Sequence, residues 1–287
     1  MSYLIYGGKG WIGSKIVKIL ESNNHNVIVS NVRLENLSEV EEELNEVNPA
    51  RVICCIGRTH GIYNNEEIST IDYLEKPGKL KENIRDNLFG PFMLALECQK
   101  RNIHMTYMGT GCIFTYTDTD KIFTEDSKPN FFGSSYSITK GFTDQMMVKM
   151  NNVLNVRIRM PISYDKSPRN FLMKMIKYSR ICSISNSMTI LEELLPVMCK
   201  MIEESKTGAI NLTNPGVIDH DTILQLYKKY INPEHQYELI SYEEQMKFLL
   251  SERSNNELST EKLLDFDSTV NNIKDGVEKI FKNWSIE

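Results

Sequence analysis

The 287-residue sequence contains no CxxC pair, and its six cysteines (Cys54, Cys55, Cys98, Cys112, Cys182 and Cys199) follow neither a disulfide framework nor metal-ligand spacing. The five histidines are scattered, so no metal centre is expected. There is no run of lysine and arginine, and the formal net charge of −5 argues against a nucleic-acid binder. No apolar stretch approaches the roughly 18 residues that a bilayer-spanning helix needs. Internal repeats and low-complexity tracts are missing as well. Strand-like residues begin at Tyr3, leaving no room for a signal peptide. Together with free thiols this points to a reducing, cytoplasmic setting. Each cysteine taken alone reads most simply as a small buried hydrophobe.

What is present is the composition of an ordinary globular protein, 41% hydrophobic and 25% charged. The length suits one large α/β unit with an elaboration, or two lobes. Tyr3–Tyr6 is an apolar run of strand length, and Trp11–Leu20 carries apolar residues at helical spacing. Asn26–Ser30 reads as a second strand and Arg51–Ile56 as a third, with a helix between them opened by a Ser38/Glu41 capping box. Parallel strands need crossover helices, so this order predicts a parallel sheet covered on both faces. Residues 58–80 read as a long loop. Helices are expected over 81–101 and 134–150, and strands at 104–108 and 155–159. Beyond Pro161 the spacing predicts a helix from a Thr189/Glu192 capping box, a strand at 209–214 and a helix over 219–230. A helix capped by Ser241/Glu244 and a final helix over 270–284 complete the chain. The expected fold is a Rossmann-type doubly wound parallel sheet over residues 1–163, with contributions from about 189–214, and a smaller C-terminal substrate lobe over 164–287.

Three constellations carry chemistry. Gly7-Gly8-Lys9-Gly10-Trp11-Ile12-Gly13 lies between the first strand and the first helix. Glycines there let backbone N–H groups approach a pyrophosphate, and the helix N-terminus supplies partial positive charge. At the end of the second strand, Ser30-Asn31-Val32-Arg33 holds no carboxylate for a ribose hydroxyl but an arginine that can pair a 2′-phosphate. That favours NADPH, with NADH as the weaker cofactor. Tyr136 and Lys140 stand four residues apart, which puts phenol and ammonium on one helix face. A cation there favours tyrosinate, so Tyr136 can donate a proton and recover it. Finally, Met108-Gly109-Thr110-Gly111-Cys112 follows a strand, and Thr110 and Cys112 point the same way if extended geometry persists.

Together these pieces resemble the extended short-chain dehydrogenase/reductase superfamily, with Thr110, Tyr136 and Lys140 matching its catalytic triad. Arg159-Met160-Pro161-Ile162-Ser163, Pro168-Arg169-Asn170-Phe171, Asn186-Ser187-Met188-Thr189-Ile190-Leu191, Thr213-Asn214-Pro215-Gly216-Val217 and Arg253-Ser254-Asn255-Asn256-Glu257-Leu258 narrow the match. They look like the bifunctional nucleotide-rhamnose synthase/epimerase-reductase. That resemblance implies 3,5-epimerisation of a UDP- or dTDP-4-keto-6-deoxyglucose and then NADPH-dependent reduction of its 4-ketone. It offers Cys112 and Lys174 as the two proton-transfer groups. It also implies cofactor contacts from Gly57, Asn87 and Pro161 beside the glycine turn, Arg33, Tyr136 and Lys140. Substrate contacts would come from Asn170, Asn186, Met188 and Arg253 beside Thr110 and Cys112.

Two stretches depart from the pattern: Cys54-Cys55-Ile56-Gly57 replaces an Asn-Ala-Ala-Gly type sequence, and residues 62–80 match poorly. Related 4,6-dehydratases carry Asp-Glu directly after the threonine, where Gly111-Cys112 stands here. The chain is therefore expected to be fed by a dehydratase rather than to be one. Helices 81–101 and 134–150 match the pair that forms a dimer bundle in the superfamily, which implies a homodimer. The alternatives are an epimerase-reductase acting on GDP-4-keto-6-deoxymannose and an idle NADP-binding regulatory subunit. The intact Thr110, Tyr136, Lys140 and Cys112 disfavour the second.

Overall fold

A computed structural model describes residues 1–284. Its centre is a six-stranded, wholly parallel sheet. In chain order its strands are β1 (Ser2–Tyr6), β2 (Asn26–Val29), β3 (Arg51–Cys54), β4 (His104–Thr110), β5 (Val153–Ile158) and β6 (Gly208–Asn211). They lie side by side in the order β2-β1-β3-β4-β5-β6. The direction of winding reverses between β1 and β3, and in open α/β sheets ligands bind at the carboxyl ends of strands flanking such a reversal. The glycine turn follows β1 and Cys55-Ile56-Gly57 follows β3, so both border that crevice.

Alternation along the strands builds two cores. Tyr3, Ile5, Ile53, Leu154 and Val156 face the helices Trp11–Ser22 and Leu191–Glu203. Leu4, Tyr6, Val52, Cys54, Met105 and Tyr107 face the opposite layer, which includes Leu94, Ala95, Cys98 and Met147. A third core gathers residues from 160 onward in the chain. There Leu172, Met188 and Ile190 pack with helices His220–Tyr230 and Ile273–Trp284, the latter burying Ile273, Val277, Ile280, Phe281 and Trp284.

The long helix expected over 81–101 forms as Leu80–Ile84 and Gly90–Lys100 joined by a π-helical turn over Arg85–Phe89. Pro91 has no N–H to give the Asn87 carbonyl, which takes the Thr143 hydroxyl at 2.7 Å instead. Such π turns recur at functional sites, and Arg85, Asp86 and Asn87 all line the cleft.

Several local expectations need correction. The stretch 58–80 is not a plain loop: it holds an antiparallel hairpin, Gly61–Tyr63 with Glu66–Ile68, and a 3₁₀ turn over Ile71–Glu75. Asn64 and Asn65 make the hairpin turn at φ of 51° and 65°, the left-handed pair that a two-residue turn demands. The Ser38/Glu41 capping box does not form, because the helix starts at Leu37, two residues earlier than that box requires, and Asn36 occupies the N-cap. Nor does Thr189/Glu192: Thr189 donates its hydroxyl to the Leu212 carbonyl and Glu192 accepts from Lys15 and Ser163, leaving Ile190 as the N-cap. The Ser241/Glu244 box is complete. The last helix begins at Ile273 rather than 270, and residues 285–287 of the expected lobe lie outside the described residues. Among the described residues no helix is long and apolar enough to cross a membrane.

Candidate functional site

A cleft of about 1070 Å³ opens along the carboxyl edge of the sheet. At one end lies the glycine turn. Gly7 sits at φ of 79° with its position for a Cβ 3.0 Å from the Cys55 carbonyl carbon, and a Cβ on Gly13 would stand 2.3 Å from the Gly7 carbonyl oxygen. No side chain larger than hydrogen fits, so helix Trp11–Ser22 starts hard against the turn. No side chain caps that helix, and its first residues Trp11, Ile12 and Gly13 line the cleft. Uncapped first-turn N–H groups beside a glycine turn fit the pyrophosphate of a dinucleotide. Arg33 also lines this end, 59% exposed and 3.6 Å from Glu35, which in turn pairs with Arg85 at 3.0 Å. Two guanidiniums thus share one carboxylate at this end of the cleft. Gly57 and Pro161 border the same space, as does Asn87, whose amide clamps the Arg58 backbone through N–H to Oδ1 (2.9 Å) and Nδ2 to O (2.8 Å).

In the middle of the cleft stand Thr110, Cys112, Tyr136 and Lys140. Thr110 ends β4, and its Oγ1 accepts the Cys112 backbone N–H at 3.1 Å, leaving the hydroxyl proton free for a second oxygen. The Tyr136 phenol lies close enough for the Thr110 hydroxyl to lower its pKa, against a larger upward push from burial and a further one from the neighbouring Cys112. The upward direction wins, so Tyr136 stays a protonated donor. Lys140 is buried and its ammonium meets the Tyr107 hydroxyl and, at 3.2 Å, the Met108 carbonyl. Burial lowers its pKa from 10.5 to about 8. The simple picture of Lys140 drawing tyrosinate out of Tyr136 is therefore corrected: desolvation dominates both groups, and the lysine's partners are Tyr107 and Met108.

The far end of the cleft is cationic. Lys174 and His60 lie there with Arg58 and Arg169, and Lys174 Nζ donates to the Ser69 carbonyl at 3.2 Å. Burial lowers the Lys174 pKa, and Arg169 adds to the effect. His60 is lowered for the same first reason, with Arg169, Lys174 and Arg58 contributing. Arg253 lines the cleft too, but its guanidinium is held by Asp72 at 2.6 Å and by Ser251. Asp72 also accepts the Leu250 and Ser251 amides, tying the 58–80 region to the 250–253 strap.

Three expected substrate contacts are absent from the cleft wall. Asn170, Asn186 and Met188 are each 0% exposed. Asn170 caps helix Phe171–Met175 and ties Ser163 and Asp165 together, while Met188 belongs to the third core. Asn186 accepts from Arg159, a residue absent from the expected site. Arg159 lines the cleft from the end of β5, its Nη1 3.7 Å from Cys112 Sγ. The motif residues Ser254 and Asn256 converge on the same spot, Ser254 on Arg159 and Asn256 on the Gly111 carbonyl at 2.9 Å. Next in the chain, Met160 is held at φ of 39° directly before Pro161, a conformation that persists only where its surroundings over-determine it.

Residues 1–183 match the family model described as the RmlD substrate binding domain. The L780 protein of Acanthamoeba polyphaga mimivirus is 50% identical over 292 residues, covering 100% of both chains. The crystal structure of that L780 UDP-rhamnose synthase aligns at a TM-score of 0.94 and 49% identity, over 98% of this chain and 99% of that one. An Arabidopsis thaliana bifunctional dTDP-4-dehydrorhamnose 3,5-epimerase/dTDP-4-dehydrorhamnose reductase is 37% identical over 91% of this chain and 86% of its own length. A trifunctional Arabidopsis relative, which adds a UDP-glucose 4,6-dehydratase, is 38% identical over 92% of this chain, which spans 39% of that protein. At 19% identity and a TM-score of 0.80, a Bacillus anthracis dTDP-4-dehydrorhamnose reductase solved in complex with NADP shares the fold over 98% of this chain and 99% of its own.

Proposed function

The chain belongs to the RmlD substrate-binding-domain family, among its 3,5-epimerase/4-keto-reductases, and from that premise we propose the reaction and its residues. It converts a nucleotide-4-keto-6-deoxyglucose, with UDP favoured over dTDP, into the nucleotide-L-rhamnose by 3,5-epimerisation followed by reduction at carbon 4. The favoured base follows the mimivirus relative, a UDP-rhamnose synthase. The observation that carries the reading is the meeting of Thr110, Tyr136, Cys112 and Lys174 in the same cleft as the glycine turn.

Carbons 3 and 5 both flank the ketone, so loss of either proton gives an enolate whose charge rests on oxygen 4. Thr110 and Tyr136 are hydrogen-bond donors in a buried setting where such charge is strongly stabilised. Cys112 and Lys174 exchange the carbon-bound protons, one on each ring face. Lys174, with its pKa lowered, can release a proton nearer neutrality than an exposed lysine. A nicotinamide cofactor supplies the hydride for carbon 4 when bound. Tyr136 protonates oxygen 4 at that step, and the Tyr107–Lys140 pair lies behind it to resupply the proton. The reading favours NADPH on the strength of Arg33, with Arg85 beside it. We further infer a homodimer, because Leu80, Ile84 and Phe89 on one helix and Ile138 and Phe142 on the next are exposed apolar residues. The substrate is the product of a 4,6-dehydratase.

The test is deuterium wash-in at carbons 3 and 5 from D₂O without cofactor. Cys112→Ser and Lys174→Met should each abolish it while NADPH affinity stays within about threefold, since neither touches the glycine turn. Wash-in at the wild-type rate in Cys112→Ser would move epimerisation to another group, His60 first.

A further inference from the structure

Arg159 is a buried arginine without a carboxylate. Its side chain is 1% exposed, and among the described residues no Asp or Glu oxygen lies within 4.0 Å of it. Its hydrogen bonds go to neutral acceptors: the Gly111 carbonyl (3.3 Å), Ser254 Oγ (2.9 Å), the Ser254 carbonyl (2.6 Å) and Asn186 Oδ1. Its Nε has no partner at all. A lone cation held in this way is costly to a protein unless something anionic answers it. The one ionisable atom within reach is Cys112 Sγ, 3.7 Å from Nη1.

The geometry points to Arg159 as the countercation of a Cys112 thiolate, a positioning residue that keeps the sulfur ionised and aimed into the cleft before substrate arrives. The cage explains why separate sequence motifs meet here: Asn186, Ser254 and Asn256 fix the guanidinium and the Gly111 carbonyl, and thereby the Cys112 turn. The other titratable groups bearing on the sulfur are Tyr136 and Lys140, with Tyr116 acting on Arg159 itself and His220, its own pKa lowered chiefly by burial and further by Arg159, lining the same cleft. Of these, Lys140 makes its hydrogen bonds to Tyr107 and Met108 and none to the sulfur, whereas Arg159 Nη1 lies 3.7 Å from it, and a neutral phenol adds no positive charge. Arg159 is thus the cation assigned to the thiolate. This inference rests on the reading of Cys112 as a proton-transfer group, but its test needs no sugar.

Iodoacetamide alkylation of the full chain, followed by peptide mass and with Cys112→Ser as the blank, reads the thiolate directly. Burial raises the pKa of the other five cysteines, so Cys112 should dominate at neutral pH. Arg159→Gln should slow Cys112 alkylation about tenfold or more near pH 7 and match wild type near pH 10, where any thiol ionises. Arg159→Lys should keep the neutral-pH rate within about threefold, because it keeps the charge while losing the bidentate bonds. A merely structural arginine would make both variants fail alike at every pH, and that result overturns the assignment. So does an Arg159→Gln protein that alkylates like wild type near pH 7. Should Arg159→Gln not fold, the thiolate ultraviolet absorbance of wild type minus Cys112→Ser near pH 7 decides, and its absence refutes the pair. A thiolate found there beside unaltered wash-in in Cys112→Ser would uphold the ion pair and refute the epimerase role of Cys112 instead.

Discussion

Replacing Lys140 by methionine should make the protein more stable and less active, and the gain should depend on pH in one direction. Burial lowers the lysine from 10.5 to about 8, and at 1.36 kcal/mol per unit the folded state bears a cost of about 3 kcal/mol for keeping the ammonium charged. Methionine fills the same volume but forfeits bonds to the Tyr107 hydroxyl and the Met108 carbonyl, about 1 kcal/mol each. The net expectation is a gain of about 1–2 kcal/mol, or a rise of roughly 2–3 °C in Tm for a chain of this size. Below pH 8 both the folded and unfolded states hold the proton, so the wild-type penalty is full. Between 8 and 10.5 the unfolded chain binds the extra proton, and wild-type stability rises with pH. Above 10.5 the penalty has vanished and the variant's advantage is gone. Calorimetry of both proteins across that range checks the reasoning. A stability difference that stays flat with pH, or a less stable variant at neutral pH, would refute it.

Tyr136→Phe should cut reduction by roughly 100- to 10,000-fold while leaving NADPH affinity near normal, since the phenol is the proton donor and the glycine turn holds the pyrophosphate; stopped-flow turnover above a third of wild type would remove the phenol from the mechanism. Arg33→Asp should weaken NADPH far more than NADH in fluorescence titrations, because it sets a second carboxylate beside Glu35, and equal losses would make Arg33 an ordinary surface charge. Ile84→Glu with Phe89→Glu should yield monomers in sedimentation velocity without lowering Tm by more than about 2 °C; an unchanged sedimentation coefficient would place the subunit contact elsewhere.

The alternation of strands and helices was legible because it depends on local periods of 2 and 3.6 residues, and the glycine turn because only a bare backbone fits against Cys55 and Gly7. The hairpin at 61–68 escaped notice because its strands are three residues each, too short for alternation to register, although Asn64-Asn65 carried a usable turn signal. The Thr189 capping box failed because tertiary partners take both of its side chains, and the Ser38 box because the helix begins at Leu37, which puts Ser38 inside its first turn. Asn170, Asn186 and Met188 look like site residues because a motif marks where a structure is demanding, without separating side chains that meet a ligand from those that hold the ones that do. Arg159 stands within such a motif, but the motif alone assigns it no role. Nothing in a run of strand residues reveals that a guanidinium will be buried without a carboxylate; the C-terminal strap has to fold over it first.

The strand order β2-β1-β3-β4-β5-β6 also sets a schedule for assembly. After β3 joins β1, each later strand adds to the same growing edge, so synthesis can extend the sheet outward without inserting a strand between two already paired. At every stage one edge is left unsatisfied, and until residues 208–211 arrive that edge is β5, whose six residues are all buried in the finished protein. An apolar open edge is a template for pairing with other chains. A chain arrested with β5 outside the ribosome and β6 still inside it would therefore be at its most adhesive, and pulsed crosslinking should find chaperones concentrated on nascent lengths at which residues 153–158 have emerged and residues 208–211 have not.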